Sequence, residues 1–144
     1  MSIIIRNAAT NEYDEVFKLI HDAYVEANYI EPNTDGRFIH YPHLNSIPQT
    51  TVLVAVDNGV TVGTCSITID SQSGLHTDED FNNETEQVRK ECRKLASSWR
   101  LATKIGYRSK IHIIRKLIQA NIDYFAENNI ETCLMTLVTR HVPR

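Results

Sequence analysis

Charge of one sign, long apolar runs and paired cysteines are all missing from this chain of 144 residues. Its 15 Lys and Arg stand against 18 Asp and Glu, for a net charge of −3. No overall field draws it to nucleic acid or to an anionic membrane surface. No apolar stretch approaches the 18 or so residues of a membrane-spanning helix. The apolar start of MSIIIRNAAT is too short for a secretory signal. Three cysteines (Cys65, Cys92, Cys133) are odd in number and lack metal-ligand spacing. They read as reduced thiols of a cytoplasmic protein. His40 and His43, in FIHYPH, are too weak a pattern to indicate a metal. With 42% hydrophobic and 23% charged residues, the rest is the composition of one globular domain over residues 1–144.

What is present is a readable order of elements. SIIIRNA (2–8) reads as a strand. In NEYDEVFKLIHDAYVEANYI, Val16, Leu19, Ile20, Ala23, Tyr24 and Ala27 recur at helical spacing, with Thr10 or Asn11 as the cap. Residues 31–50 hold three of the four prolines and read as a loop with one helical turn. TVLVAVDNGVTVGTCSITID is a hairpin around DNG. An acidic connection follows, then a short helix in TEQVRKECRKLA and a strand in SSWRLAT. RSKIHIIRKLIQANIDYFAENN is a second long helix. Its expected cap is Ser109, and its expected buried stripe is Ile111, Ile114, Ile118, Ile122 and Phe125. IETCLMTLVT is a last, almost continuously apolar strand. Adjacent strands predict an antiparallel sheet, and the strand–helix–strand unit from 97 to 139 predicts one parallel crossover.

One segment does not fit an ordinary strand. SSWRLAT carries Arg100 in its middle and opens onto KIGYRSK. A buried guanidinium is costly unless paired. Two explanations stand: pairing with an acidic residue such as Asp70, or recognition of a substrate carboxylate.

The element order is similar to that of the GNAT N-acyltransferases. The resemblance narrows over DSQSGLHTDEDF, Arg89 and Arg93, SSWRLAT, YRSK and VTRHVPR. Taken in order, these segments resemble the long-chain N-acyl amino acid synthases, relatives of the acyl-homoserine-lactone synthases. The resemblance implies an α/β (α+β) fold with a mixed, mostly antiparallel sheet flanked by helices. Three departures stand out. Ser97 occupies the place of a strand glutamate, and GLH at 74–76 replaces GLP. The chain ends at RHVPR, where the family continues into further strands, so the resemblance implies a sheet whose C-terminal strands are missing.

The implied reaction is transfer of a fatty acyl group from a phosphopantetheine thioester, on acyl carrier protein or coenzyme A, to an amino acid or other small amine. The implied catalytic positions are Ser97 and Arg100. The implied thioester-arm site is Leu101, Ala102 and Thr103 through their backbone, with Lys104, Gly106, Tyr107, Arg108, Ser109 and Lys110 around a phosphate at the helix start. Tyr24, Tyr29, Asp70 and His141 are the implied acceptor side. Only Gly106 represents the glycines of a coenzyme A pyrophosphate loop, which weakens the coenzyme A reading and leaves room for a carrier protein meeting the basic cluster Lys104, Arg108, Lys110, Arg115 and Lys116. No metal is implied. The other readings are an acetyl-coenzyme A acetyltransferase and a silent binding module that pairs as a homodimer through its open sheet edge.

Overall fold

A computed structural model describes residues 2–136. Five strands form one sheet in the order β1 (Ile3–Asn7), β2 (Thr50–Asp57), β3 (Val60–Ile69), β4 (Leu95–Thr103), β5 (Thr132–Leu134). The first four run antiparallel to their neighbours, and β5 lies parallel to β4. This is the predicted mixed, mostly antiparallel sheet with one crossover. The β2–β3 hairpin turns at Asn58 and Gly59, both with positive φ (49° and 78°), which suits the twist of the flanking strands.

The strand period of two sorts β2 between two cores. Val52 and Val54 pack with Val16, Leu19 and Ile20 of α1 (Tyr13–Glu26). Leu53 and Ala55 pack with Ile113 and Leu117 of α5 (Lys110–Glu127) on the other side. The sheet is thus covered by a long helix on each face. Helix α1 starts later than its expected cap, because a 3₁₀ turn at Thr10–Glu12 precedes it. There the Glu12 carboxylate accepts the Ala9 N–H at 2.8 Å and holds Arg6.

The expected stripe on α5 is corrected. Ile113, Leu117 and Asn121 are the buried residues, while Ile111, Ile118 and Ile122 are 63%, 46% and 54% exposed. Isoleucines occur on both sides of this helix, so apolar spacing alone does not choose. Gly63 of β3 provides the reason. A Cβ there would stand 2.6 Å from Ile113 Cγ2 and 3.2 Å from Leu117 Cδ1. The helix settles its Ile113–Leu117 ridge on that bare backbone.

Three shorter helices complete the described chain: α2 (Pro42–Asn45), α3 (Thr77–Asp80) and α4 (Asn82–Glu91). The first is the expected turn in the proline-containing loop. Helix α3 lies in what reads from sequence as an irregular acidic connection.

Candidate functional site

The site grows from an irregularity in β4. Thr64 pairs with Ala102 and Ser66 pairs with Trp99, so Arg100 and Leu101 together oppose Cys65. One extra residue in a strand is a β-bulge. Arg100 takes the left-handed conformation, with φ 56°. The bulge interrupts alternation. Trp99 and Arg100, adjacent in sequence, both meet the α1 side of the sheet, and Leu101 is 40% exposed.

Arg100 is one of the most buried large side chains, at 2% exposure. Its Nε and Nη2 donate to Ser66 Oγ at 3.0 and 2.8 Å. Its Nη1 donates to the Ile39 carbonyl at 3.0 Å and to Asn45 Oδ1 at 2.8 Å. The guanidinium carbon lies 4.0 Å from the Trp99 ring centroid and 5.6 Å from that of Phe17. None of these partners is an anion. Burial pulls the guanidinium down to about 10, still fully charged at neutral pH. Asp70 is not its partner. Both Asp70 oxygens accept from Arg89, at 2.7 and 2.9 Å. Arg89 also binds Asp78 and Glu86, and Asp78 accepts the Leu75 N–H. This network fixes the 70–89 connection beside a cleft of about 420 Å³.

Beyond Ser97, before the bulge, β4 loses its β5 neighbour among the described residues. Its parallel ladder with β5 comprises Leu95–Thr132, Ala96–Cys133 and Ser97–Leu134 and ends there. Residues 98–103 continue as strand with no β5 partner among the described residues. Leu101, Ala102 and Thr103 lie on this stretch, and Ser97 lies where it begins. The strand then runs into the basic loop. Gly106 has φ 71°, and Ser109 caps α5 in the left-handed conformation with φ 63°. The Ser109 side chain makes no cap bond; its carbonyl accepts the N–H groups of His112 and Ile113. Lys104, Arg108 and Lys110 are exposed. Tyr107 is half-buried, and its hydroxyl bonds to Asp57 Oδ2. A second cleft of about 250 Å³ opens where Lys104 and Ile105 meet α1.

On the α1 side an aromatic wall faces Arg100 and Trp99. Tyr24 lies 5.6 Å from Tyr29 and 5.8 Å from Phe38, ring centre to ring centre. Burial pushes the Tyr24 hydroxyl up to about 12, so it stays protonated. Tyr41 bridges His40 (4.1 Å) and Trp99 (5.6 Å). His76 closes the wall, stacked on Trp99 at 6.1 Å and 20°. The structure therefore brings Tyr24 and Tyr29 to the wall beside Arg100, leaves Ser97 three residues back along β4, and ties Asp70 into the Arg89 network instead. His141 lies outside the described residues. Sequence reasoning missed Tyr41 and His76 as parts of this wall. The GLH departure at 74–76 was the available signal for His76. Cys65 is buried and its thiol is held up by burial, as a packing cysteine should be. Among the described residues, no cluster of His, Cys, Asp and Glu could hold a metal ion, and no helix is long and apolar enough to cross a membrane.

Comparisons with known proteins agree with this fold. The model of the family "N-acyl amino acid synthase FeeM" matches residues 15–144. The structure of FeeM, an N-acyl amino acid synthase from uncultured soil microbes, superposes with a TM-score of 0.82 at 23% identity. That match covers 97% of this chain and 74% of FeeM. An aminoglycoside acetyltransferase from an uncultured soil metagenomic sample has a TM-score of 0.62 at 18% identity, covering 96% of this chain and 82% of that one. A predicted acetyltransferase of Clostridium acetobutylicum, solved with acetyl-CoA, has a TM-score of 0.63 at 13% identity, covering 96% of this chain and 83% of that one. At these identities the structural likenesses establish the GNAT-like fold. No curated protein matches the chain.

Proposed function

Because the chain belongs to the FeeM family of N-acyl amino acid synthases and is thus an N-acyltransferase, we propose that it joins a fatty acyl group from a phosphopantetheine thioester to the amine of an amino acid. The observation that carries this reading is the edge of β4 beyond Ser97, which has no β5 partner among the described residues and ends in a cationic loop at a helix start. An extended pantetheine arm can lie along backbone groups that β5 leaves unpaired. Leu101, Ala102 and Thr103 supply these groups, including donors for the oxyanion that develops on attack. Lys104, Arg108 and Lys110, with the free N–H groups at the start of α5, meet the phosphate. Gly106, Tyr107 and Ser109 shape this loop. On the other side of β4, Arg100 holds an uncompensated charge suited to a carboxylate, and Tyr24 and Tyr29 wall the acceptor. Asp70 acts indirectly, by fixing Arg89. Ser97, at the fork between β4 and β5, lies nearest the reacting centre.

The single glycine of the loop gives a pyrophosphate little backbone cradle. An acyl carrier protein, with one phosphate and an acidic helix, suits Lys104, Arg108, Lys110 and Arg115 better than coenzyme A does. Carrier proteins act in the cytoplasm, and we place this chain there; the open sheet edge also suits a homodimer.

The test is product analysis by mass spectrometry after incubation with palmitoyl-acyl carrier protein, palmitoyl-CoA or acetyl-CoA and a mixture of amino acids. A palmitoyl amide, formed faster from the carrier protein, is the expected result. Acetyl amides alone would move the assignment to a small-acyl acetyltransferase. No amide from any donor would overturn the proposal.

A further inference from the structure

Two buried side-chain polar atoms among the described residues have no hydrogen-bond partner, His76 Nδ1 and Ser97 Oγ. His76 is 2% exposed and Ser97 is 0%. Leaving a buried polar atom unpaired is costly, and a catalytic role is one reason a fold keeps such an atom. Both adjoin Trp99. Ser97 precedes it by two residues on the same strand, before the bulge, and so shares its side of the sheet. The His76 ring stacks on the Trp99 indole and leans on Tyr41 at 5.7 Å. Its Nε2 lies 3.5 Å from Thr136 Oγ1, two residues past the last residue of β5. His76 thus spans from β4 to the chain leaving β5, over the place where their ladder has ended.

We propose that His76 is the proton acceptor of acyl transfer, with Ser97 Oγ as the second polar atom of that site. This rests on the acyltransferase reading above. The amine nitrogen attacks the thioester carbonyl carbon, the C–N bond forms and the C–S bond breaks. The proton leaving nitrogen passes to Nδ1 and then to the departing sulfur, so amine and thioester become amide and thiol. With Nε2–H donating to Thr136, the Nδ1 lone pair is free to receive it.

Burial and the nearby His40 hold the His76 imidazole down to about 4, while Asp78 and Asp80 act in the opposite direction. Tyr41, also packed on the ring, is raised by burial and stays neutral. The imidazole is therefore unprotonated at neutral pH and comparable in base strength to a carboxylate, near 4.3 for glutamate. Ser97, standing where the resemblance implies a glutamate, has no such basicity.

The test compares the native chain with His76→Phe, which keeps the stack on Trp99, and His76→Ala, which opens a cavity. The expected result is a fall in kcat of about 100-fold or more for both, with KM for the acyl donor unchanged. Free imidazole should restore His76→Ala and leave His76→Phe inactive. In long-range ¹H–¹⁵N spectra, His76 should carry its proton on Nε2 between pH 6 and 8. Full turnover by His76→Phe, or a proton on Nδ1, would overturn the proposal while leaving the acyltransferase reading intact. No amide from the native chain would remove both.

Discussion

Arg100 concentrates the chemistry of this fold into one residue. It is a cation kept from water by Trp99, Phe17 and three neutral oxygen acceptors. Buried charges are normally matched by opposite ones, and we propose that a ligand carboxylate supplies the match here. Arg100→Met should leave Ser66 Oγ, Asn45 Oδ1 and the Ile39 carbonyl without their donor. Urea unfolding should show a loss of about 2–4 kcal/mol, and the KM for the amino acid should rise at least tenfold. An unchanged KM in the folded variant would remove Arg100 from acceptor binding. The oddity of Arg100 was legible in SSWRLAT. Its partners were not, because they come from the bulge and from residues 39 and 45, in a segment whose path no local pattern dictates.

Among the elements, α5 shows how a neighbour decides what periodicity leaves open. Gly63 selects the Ile113–Leu117 face by letting the helix approach its backbone. Gly63→Ala should therefore destabilise by about 1–3 kcal/mol through overpacking. Ile118→Asp, on the face read from sequence as buried, should change stability by no more than about 0.5 kcal/mol. Thermal or urea melts separate the two, and the reverse ranking would return the buried stripe to the isoleucines. The connection from Asp70 to Arg89 behaves as an element in its own right. Its hydrogen bond from Arg89, with a smaller one from the Leu75 N–H, lowers the Asp78 carboxyl in the folded state. A lowered folded-state pKa adds stability above the unfolded value, near 3.9, and that contribution vanishes as pH falls through the folded value. Arg89→Gln should thus lower the Tm at pH 7 by a few degrees, for a loss of about 1 kcal/mol. The gap to the native chain should narrow progressively in melts taken at pH values below the unfolded value, near 3.9. A gap independent of pH would mean that Arg89 acts by packing alone. Helix α3, inside this connection, was hidden because four residues of TDED carry no period.

At the level of the whole molecule, the strand order and the parallel crossover were legible because β-branched runs, a DNG turn and one long helix leave few topologies. The place where β4 and β5 part was not. It depends on where two strands whose paired residues lie 37 apart in sequence stop pairing, and neither strand announces that alone. Ser97 stands where they part, His76 reaches the chain leaving β5, and β4 runs on from there to the basic loop. Helix α1 and its aromatic wall lie on one side, and the start of α5 lies at the far end.

The measurement that bears on this most directly is amide hydrogen exchange with and without a palmitoyl-pantetheine-phosphate thioether, a donor analogue that cannot transfer its chain. Bound analogue should slow exchange at Leu101, Ala102 and Thr103 and at the first amides of α5. Saturating analogue with those amides unchanged, and protection elsewhere, would contradict the placement of the thioester on the free edge of β4.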